Sequence, residues 1–230
     1  MLPGSCFYCR GPLSPNNQCL CHQCIQDLPW LTSSCNQCAT PMHSQGTCGN
    51  CQRKPPPFRR CISAFHYQPP IDRLVKRLKR DINSPELIQL SGFLADLISA
   101  SYGTNIPLLV IPLPLHWTRL VRRGFNQSHS IAAQLQQRLS HLEVRADICQ
   151  RTQRASPQRQ HNKQQRLHNI VDAFEVTDPN AIAGRALALV DDVMTTGATA
   201  RAAANSLIKA GAKSVDIWCI ARTGWYINAS

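Results

Sequence analysis

The sequence is short of acid. Its 230 residues hold 13 Asp and Glu against 25 Lys and Arg, a formal charge of +12. It also lacks any run approaching the roughly 18 apolar residues of a membrane helix, which excludes membrane insertion through such a segment. The opening Met1-Leu2-Pro3-Gly4-Ser5-Cys6 has no charged region followed by an apolar one, so it does not read as a secretory signal. A soluble cytoplasmic protein is therefore expected. Apolar residues make up 43% of the chain, enough for a real core, and the length suits one ordinary domain plus a small module.

The positive charge is clustered. Nine Lys and Arg lie between Arg53 and Arg80 against one acid, Asp72. Ten lie between Arg119 and Arg166 against Glu143 and Asp147. Such stretches either form a solvated basic face or meet a polyanion such as phosphate, pyrophosphate or nucleic acid.

Cysteine is clustered too, with ten of twelve in the first 61 residues. Residues 1–52 have little aliphatic periodicity and cannot bury much apolar surface, so something else must hold them together. Without an export signal, clustered Cys reads as metal binding before disulfides. The spacing is Cys6-x2-Cys9 with Cys21-x2-Cys24, then Cys35-x2-Cys38 with Cys48-x2-Cys51. Each pair can present two thiolates to one ion, and two pairs complete a closed tetrahedral site, so eight cysteines account for two structural zinc ions. Spacing leaves the pairing open, including a cross-braced arrangement, and Cys19 or His22 could replace a neighbour. Cys61, Cys149 and Cys219 fall outside the pattern and read as buried side chains, and His43 as a surface residue.

Residues 53–60, with Pro55-Pro56-Pro57, read as a stiff linker. From residue 61 onward strands and helices alternate. Strands are expected at Cys61–Tyr67, Leu108–Ile111, Ala186–Val190 and Val215–Ile220. Helices are expected over 71–80, where Ile71, Leu74, Val75 and Leu78 share a face, and over 86–100, 127–140 and 198–210, the last capped by Gly211. This alternation implies an α/β fold: a parallel sheet with helices on both faces over residues 61–230, preceded by the Cys module.

One loop stands out. The apolar strand 186–190 runs into Asp191-Asp192-Val193-Met194-Thr195-Thr196-Gly197-Ala198-Thr199 and then a helix. Parallel α/β folds bind ligands between a strand's carboxyl end and the next helix. The unpaired N–H groups of that helix suit phosphate, Thr195, Thr196 and Thr199 add hydroxyls, and Gly197 permits close backbone approach. Asp191 and Asp192, the candidate catalytic pair, can accept from two ribose hydroxyls or help place Mg²⁺. Alternatively, one of them braces the loop. Strand 108–111 leads to Arg119, Arg122 and Arg123, whose guanidinium groups can surround a diphosphate. Asn126 and Gln127 could bond the ligand or cap the following helix.

The Asp-Asp-x2-Thr-Thr-Gly-x-Thr stretch resembles the thirteen-residue signature of type I phosphoribosyltransferases. The whole chain resembles the ComF/GntX family, in which a double zinc ribbon precedes such a domain. The resemblance rests on the CxxC pairs, Pro112-Leu113-Pro114-Leu115-His116, Arg122-Arg123-Gly124-Phe125-Asn126-Gln127, Arg166-x2-Asn169 before Ala173-Phe174, and the Asp-Asp loop. It implies a ligand such as phosphoribosyl pyrophosphate (PRPP) with Mg²⁺. It also implies a closing loop over 151–169, with Gln158 and Arg166 at family positions, and a role in natural competence, DNA uptake or use of external DNA. No base-recognition segment is evident, although Trp225 or Tyr226 could stack on a base. The chain could thus be a phosphoribosyltransferase of unknown acceptor. It could instead be a non-catalytic sensor that binds single-stranded DNA, or an adaptor whose ribbons dock DNA-processing proteins.

Overall fold

In the computed structural model, residues 4–14, 17–152 and 173–224 are described. Five apolar segments form one wholly parallel sheet. They are β1 (Cys61–His66), β2 (Leu109–Pro112), β3 (Glu143–Val144), β6 (Ala186–Met194) and β7 (Ser214–Arg222), in the spatial order β1-β7-β6-β2-β3. A separate antiparallel hairpin pairs β4 (Cys149–Arg151) with β5 (Phe174–Val176).

Helices cover both faces, as the alternation predicts. On one face α3 (Ile71–Leu78), α4 (Pro85–Tyr102) and α6 (Gln127–Arg138) bring Leu74, Leu94 and Ile131 against Val110, Val190 and Trp218. On the other, α7 (Ala198–Lys209) packs Ala203 and Leu207 against Leu187, Leu189 and Ile217. Strands buried on both faces have no polar alternation, which is why they read as continuous apolar runs.

The short strands β3, β4 and β5 are not among the expected elements, and two further elements differ from expectation. β6 does not stop at Val190 but continues through both Asp to Met194, in register with β7 as Asp191 beside Cys219 and Met194 beside Arg222. Backbone pairing is indifferent to side-chain polarity, so the ladder holds where the apolar pattern ends. The Arg119–Arg123 run is a short helix, α5 (Trp117–Arg123), rather than a loop. The His116 side chain accepts from Thr118 N–H at its start, and Gly124, at φ 80°, ends it in the left-handed region.

The Cys module is a structural repeat. Ser-Cys-x2-Cys-x2-Pro occurs at Ser5–Pro12 and again at Ser34–Pro41. Each copy closes with a Ser–Pro bridge, and each places one residue, Arg10 or Ala39, at positive φ after its second Cys. A short helix starts inside the later pair in each unit: Cys21 is the N-cap of α1 (His22–Gln26), which carries Cys24, and Cys48 is the N-cap of α2 (Gly49–Arg53), which carries Cys51. The module is seated on the sheet. Trp30 packs on Phe65 and Phe93 with ring centroids 4.5 and 5.2 Å apart, and Gln89 Oε1 accepts from the N–H groups of Cys19 and Leu20.

The segment after the triple proline is also fixed. Phe58 is buried, and Arg59 donates from Nε and Nη2 to Asp216 at 2.9 and 2.5 Å. Asp216, on β7 and 1% exposed, also accepts from Tyr102 OH. Asp216→Ala should leave these donors unsatisfied and cost about 2–3 kcal/mol, read as a lower urea midpoint at unchanged slope.

Candidate functional site

The eight predicted ligands fall into two tetrads. The Sγ atoms of Cys6, Cys9, Cys21 and Cys24 lie within 4.8 Å of one another, and so do those of Cys35, Cys38, Cys48 and Cys51. The units are therefore used in sequence, not cross-braced, and neither Cys19 nor His22 joins them. A tetrahedron with Zn–S near 2.3 Å requires S···S separations of about 3.8 Å. Cys9–Cys21 at 3.6 Å and Cys38–Cys48 at 3.7 Å fit that requirement. Backbone N–H groups aim at sulfur in equivalent places, Cys21 to Cys6 and Cys48 to Cys35, each at 3.3 Å. Burial alone would raise the Cys6 thiol, but N–H groups of Cys9, Cys21 and Tyr8 bring it down to about 6. Burial likewise opposes Cys38, but the Thr40 hydroxyl and N–H bring it down to about 7. One thiol in each tetrad is thereby brought toward the thiolate that binds metal, whereas burial and then the neighbouring sulfurs push Cys24, Cys48 and Cys51 up. Cys61, Cys149 and Cys219 are buried, as expected, and His43 is exposed.

A second constellation lies past the carboxyl ends of β6 and β2. A cavity of about 240 Å³ is lined by Asp191, Asp192, Thr195 and Thr199 on one side, and by Arg119 and Arg123 of α5 on another. The predicted halves of the site therefore meet. Arg122 and Ala198 are not among the lining residues, while Thr196 and Gly197 line a neighbouring cavity instead. Gln158 and Arg166, like Trp225 and Tyr226, lie outside the described residues.

The cavity's chemistry is that of an anion site with two carboxylates at its base. Arg151 lines it with Arg119 and Arg123. Burial, and then the charge of Arg119, push the Arg151 guanidinium below its ordinary range. Cations facing one another across a cavity are what a diphosphate would neutralise. Lys79 Nζ stands 3.0 Å from Asp192 Oδ2. Burial, and then the neighbouring Asp192, push Asp191 well above the carboxylate range, although it accepts from Ser128 Oγ at 3.2 Å and from Asp192 N–H at 2.8 Å. At the loop's end Gly197 is the N-cap of α7 at φ 75° and offers no side-chain acceptor, and Thr196 Oγ1 accepts from the first N–H of the helix, that of Ala198, at 3.3 Å.

Sequence reasoning missed Lys79, Tyr67 and Arg151 as lining residues. Lys79 follows a helix that reads as solvent-facing, and Arg151 begins a stretch that reads as a mobile loop. Gln127 and Asn126 divide the two roles left open for them. Asn126 caps α6 and donates to Leu113 O, whereas Gln127, 2% exposed, accepts from Arg123 Nη1 and leaves its Nε2 without a partner in the cavity wall.

Arg222, at the end of β7 and 2% exposed, ties the two constellations together. Its guanidinium donates to the carbonyls of Met194 and Thr195 in the loop, to Cys38 O in the second tetrad, and to Thr40 Oγ1.

A double zinc ribbon joined to a phosphoribosyltransferase-type α/β domain is the class these features define. Residues 1–52 match the double zinc ribbon domain family, and residues 121–226 match the phosphoribosyl transferase domain family. The chain is 34% identical over 226 residues to the DNA utilization protein YhgH of Shigella flexneri, covering 96% of this chain and 98% of that one. It is 29% identical to Competence protein F of Haemophilus influenzae, with 94% and 96% covered. It is 26% identical to Competence protein ComFC of Bacillus subtilis, with 92% and 87% covered. The chain belongs to the ComF/GntX family.

Elemental analysis of the purified protein should find two zinc ions per chain, and Cys38→Ser should leave one. Two zinc ions retained in that variant would contradict the second tetrad. Asp191 carries a pH signature. Its folded pKa lies above the unfolded value, so its penalty is absent below pH ~4 and grows as pH rises toward the folded value. Asp191→Asn should therefore raise Tm at pH 8 by a few degrees, on the order of 1 kcal/mol, with the gain fading toward pH 4. A gain that is constant across pH would contradict this origin.

Proposed function

We propose that the protein binds PRPP, or a related phosphoribosyl ligand with Mg²⁺, in the cavity between the Asp191–Thr199 loop and α5. The observation that carries this is the facing arrangement of Asp191 and Asp192 with Arg119, Arg123 and Arg151 around one small cavity. Asp191 and Asp192 accept from the ribose hydroxyls and supply the hard oxygen donors that Mg²⁺ takes, and the bound ion would neutralise diphosphate charge. Thr195, Thr199 and the N-terminal end of α7 hold the 5-phosphate, with Thr196, which lines the neighbouring cavity, capping the first N–H of that helix. The guanidinium groups hold the diphosphate.

In a transfer reaction the bond from C1 to the diphosphate oxygen lengthens and its electron pair leaves with the diphosphate. Positive charge builds on the ribose, and a nitrogen of the acceptor closes on C1. This chain's contribution is position and electrostatics: arginines set where negative charge accumulates, and carboxylates beside the ribose. Residues 151–169, with Gln158 and Arg166, complete the diphosphate side on this reading.

The names of the relatives support a role for this ligand site in DNA uptake or the use of external DNA, and on our reading that role is exercised in the cytoplasm. A second reading, a non-catalytic sensor that also holds single-stranded DNA, is favoured by a separate feature. A cavity of about 460 Å³ between the second ribbon and α7 is lined by Arg53, Lys54 and Arg201, with Phe58 beneath and no acid among the described residues of its wall. Cations over an aromatic floor suit a phosphodiester chain with its bases.

Titration calorimetry with PRPP and Mg²⁺ separates these readings. The wild type should bind, and Asp191→Asn with Asp192→Asn should weaken binding by about 100-fold with both zinc ions retained. Unchanged affinity in that double variant would refute the site. Pyrophosphate release with any base marks an enzyme, whereas binding without release marks the sensor.

A further inference from the structure

The first turn of α6 carries a polar side chain where the core pattern calls for an apolar one. Residues 127, 131 and 135 recur about one turn apart, so they share the helix face that packs on the sheet. Ile131 and Leu135 fill that face as a core requires, but its first position holds Gln127, 2% exposed. A buried carboxamide costs stability unless both of its ends are bonded. Only one end is. Gln127 Oε1 accepts from Arg123 Nη1 at 2.9 Å, and Nε2 has no partner among the described residues.

Chemistry fixes which way the amide faces. A guanidinium can only donate, so the oxygen must meet Arg123 and the NH₂ group is left to the cavity wall. The next residue, the buried Ser128, donates from Oγ to Asp191 Oδ1 at 3.2 Å. Two consecutive residues thus reach the two halves of the site, Gln127 the arginine side and Ser128 the carboxylate side. The unused donor stands at the seam between them. The carboxylates have other partners: Asp191 Oδ1 accepts from Ser128 Oγ and Asp192 N–H, and Asp192 Oδ2 pairs with Lys79. The acceptor for Nε2 must therefore come from what enters the cavity. A neutral donor also serves an anion here without adding to the repulsion between Arg119 and Arg151.

We infer that Gln127 reads the ligand, its Nε2–H donating to the phosphate of the C1 diphosphate that lies next to the ribose. The inference deepens the phosphoribosyl reading and rests on it for the identity of that phosphate. It makes Gln127 a specificity-determining residue, which separates a ribose 5-phosphate that carries a diphosphate at C1 from one that does not. Arg123 has a second task on this view, because it holds the amide in the orientation that presents the donor.

Titration calorimetry on the full-length, zinc-loaded protein tests this with three ligands. They are PRPP and inorganic pyrophosphate, each with Mg²⁺, and ribose 5-phosphate, which lacks the diphosphate. Gln127→Met keeps the length of the side chain and removes both polar ends. It should weaken PRPP and pyrophosphate about tenfold and ribose 5-phosphate by less than about twofold. Gln127→Glu keeps the acceptor that Arg123 uses but has no donor for phosphate, and should weaken PRPP and pyrophosphate at least as much. Repeating Gln127→Met in an Arg123→Met background separates a direct bond from an effect carried by Arg123. A direct bond predicts a further loss of about fivefold or more there.

Unchanged PRPP and pyrophosphate affinity in both variants, an equal loss for ribose 5-phosphate, or no further loss in the Arg123→Met background would each overturn the inference. Normal PRPP binding by the wild type alongside any of these would leave the phosphoribosyl reading standing. Pyrophosphate bound by the wild type and weakened by both variants, in a protein that does not bind PRPP, would refute that reading and keep the Gln127 donor. A wild type that binds neither would overturn both.

Discussion

Arg222 is a buried guanidinium with no carboxylate partner among the described residues. Taking such a charge out of water costs several kcal/mol unless acceptors surround it. Here the acceptors are the carbonyls of Met194 and Thr195 in the Asp191–Thr199 loop, of Cys38 in the second ribbon and of the adjacent Thr223, together with the Thr40 hydroxyl. Thr40 in turn reaches Cys38 Sγ at 3.1 Å. With zinc bound, the second tetrad would carry a net charge of −2 beside this cation. The zinc ribbon and the phosphate loop are therefore one electrostatic unit. Remove the thiolates and Arg222 loses its countercharge; remove Arg222 and the loop carbonyls lose their donor.

The site itself is built against stability. Asp191 and Asp192 are adjacent on a strand, and burial with mutual repulsion holds Asp191 protonated above the ordinary range. Across the cavity Arg119 and Arg151 repel each other in the same way. On the proposed reading, a ligand that carries phosphates to the arginine side and hydroxyls to the Asp191–Asp192 side would relieve both at once. Stability given up at a binding site in this way is a common consequence of function. The rest of the fold has the reserve to hold it, through the doubly covered sheet and the Asp216 network.

The sequence makes the metal module and the loop legible for physical reasons. CxxC spacing is a local constraint, and Ser5–Pro12 and Ser34–Pro41 fold alike because each knuckle is specified within a few residues. Asp191–Thr199 is legible because a buried strand, two carboxylates and a hydroxyl-rich turn follow without interruption. Lys79 and Tyr67 were not legible, because they reach the site only through the packing of α3 and the run-out of β1. The Arg119–Arg123 helix was missed because none of its side chains is buried and it shows no apolar periodicity toward a core. β6 was read as too short because polar side chains hide a ladder that the backbone continues. The contact between ribbon and loop through Arg222 spans residues 38 to 222 and has no sequence signature at all.

Hydrogen–deuterium exchange of the zinc-loaded protein, with and without PRPP and Mg²⁺, tests the central claim most directly. The account predicts slowed exchange at residues 191–201 and 117–124, with a smaller effect at residues 38–42, where Arg222 carries the ordering into the ribbon. Unchanged exchange at residues 191–201 under saturating PRPP would contradict it.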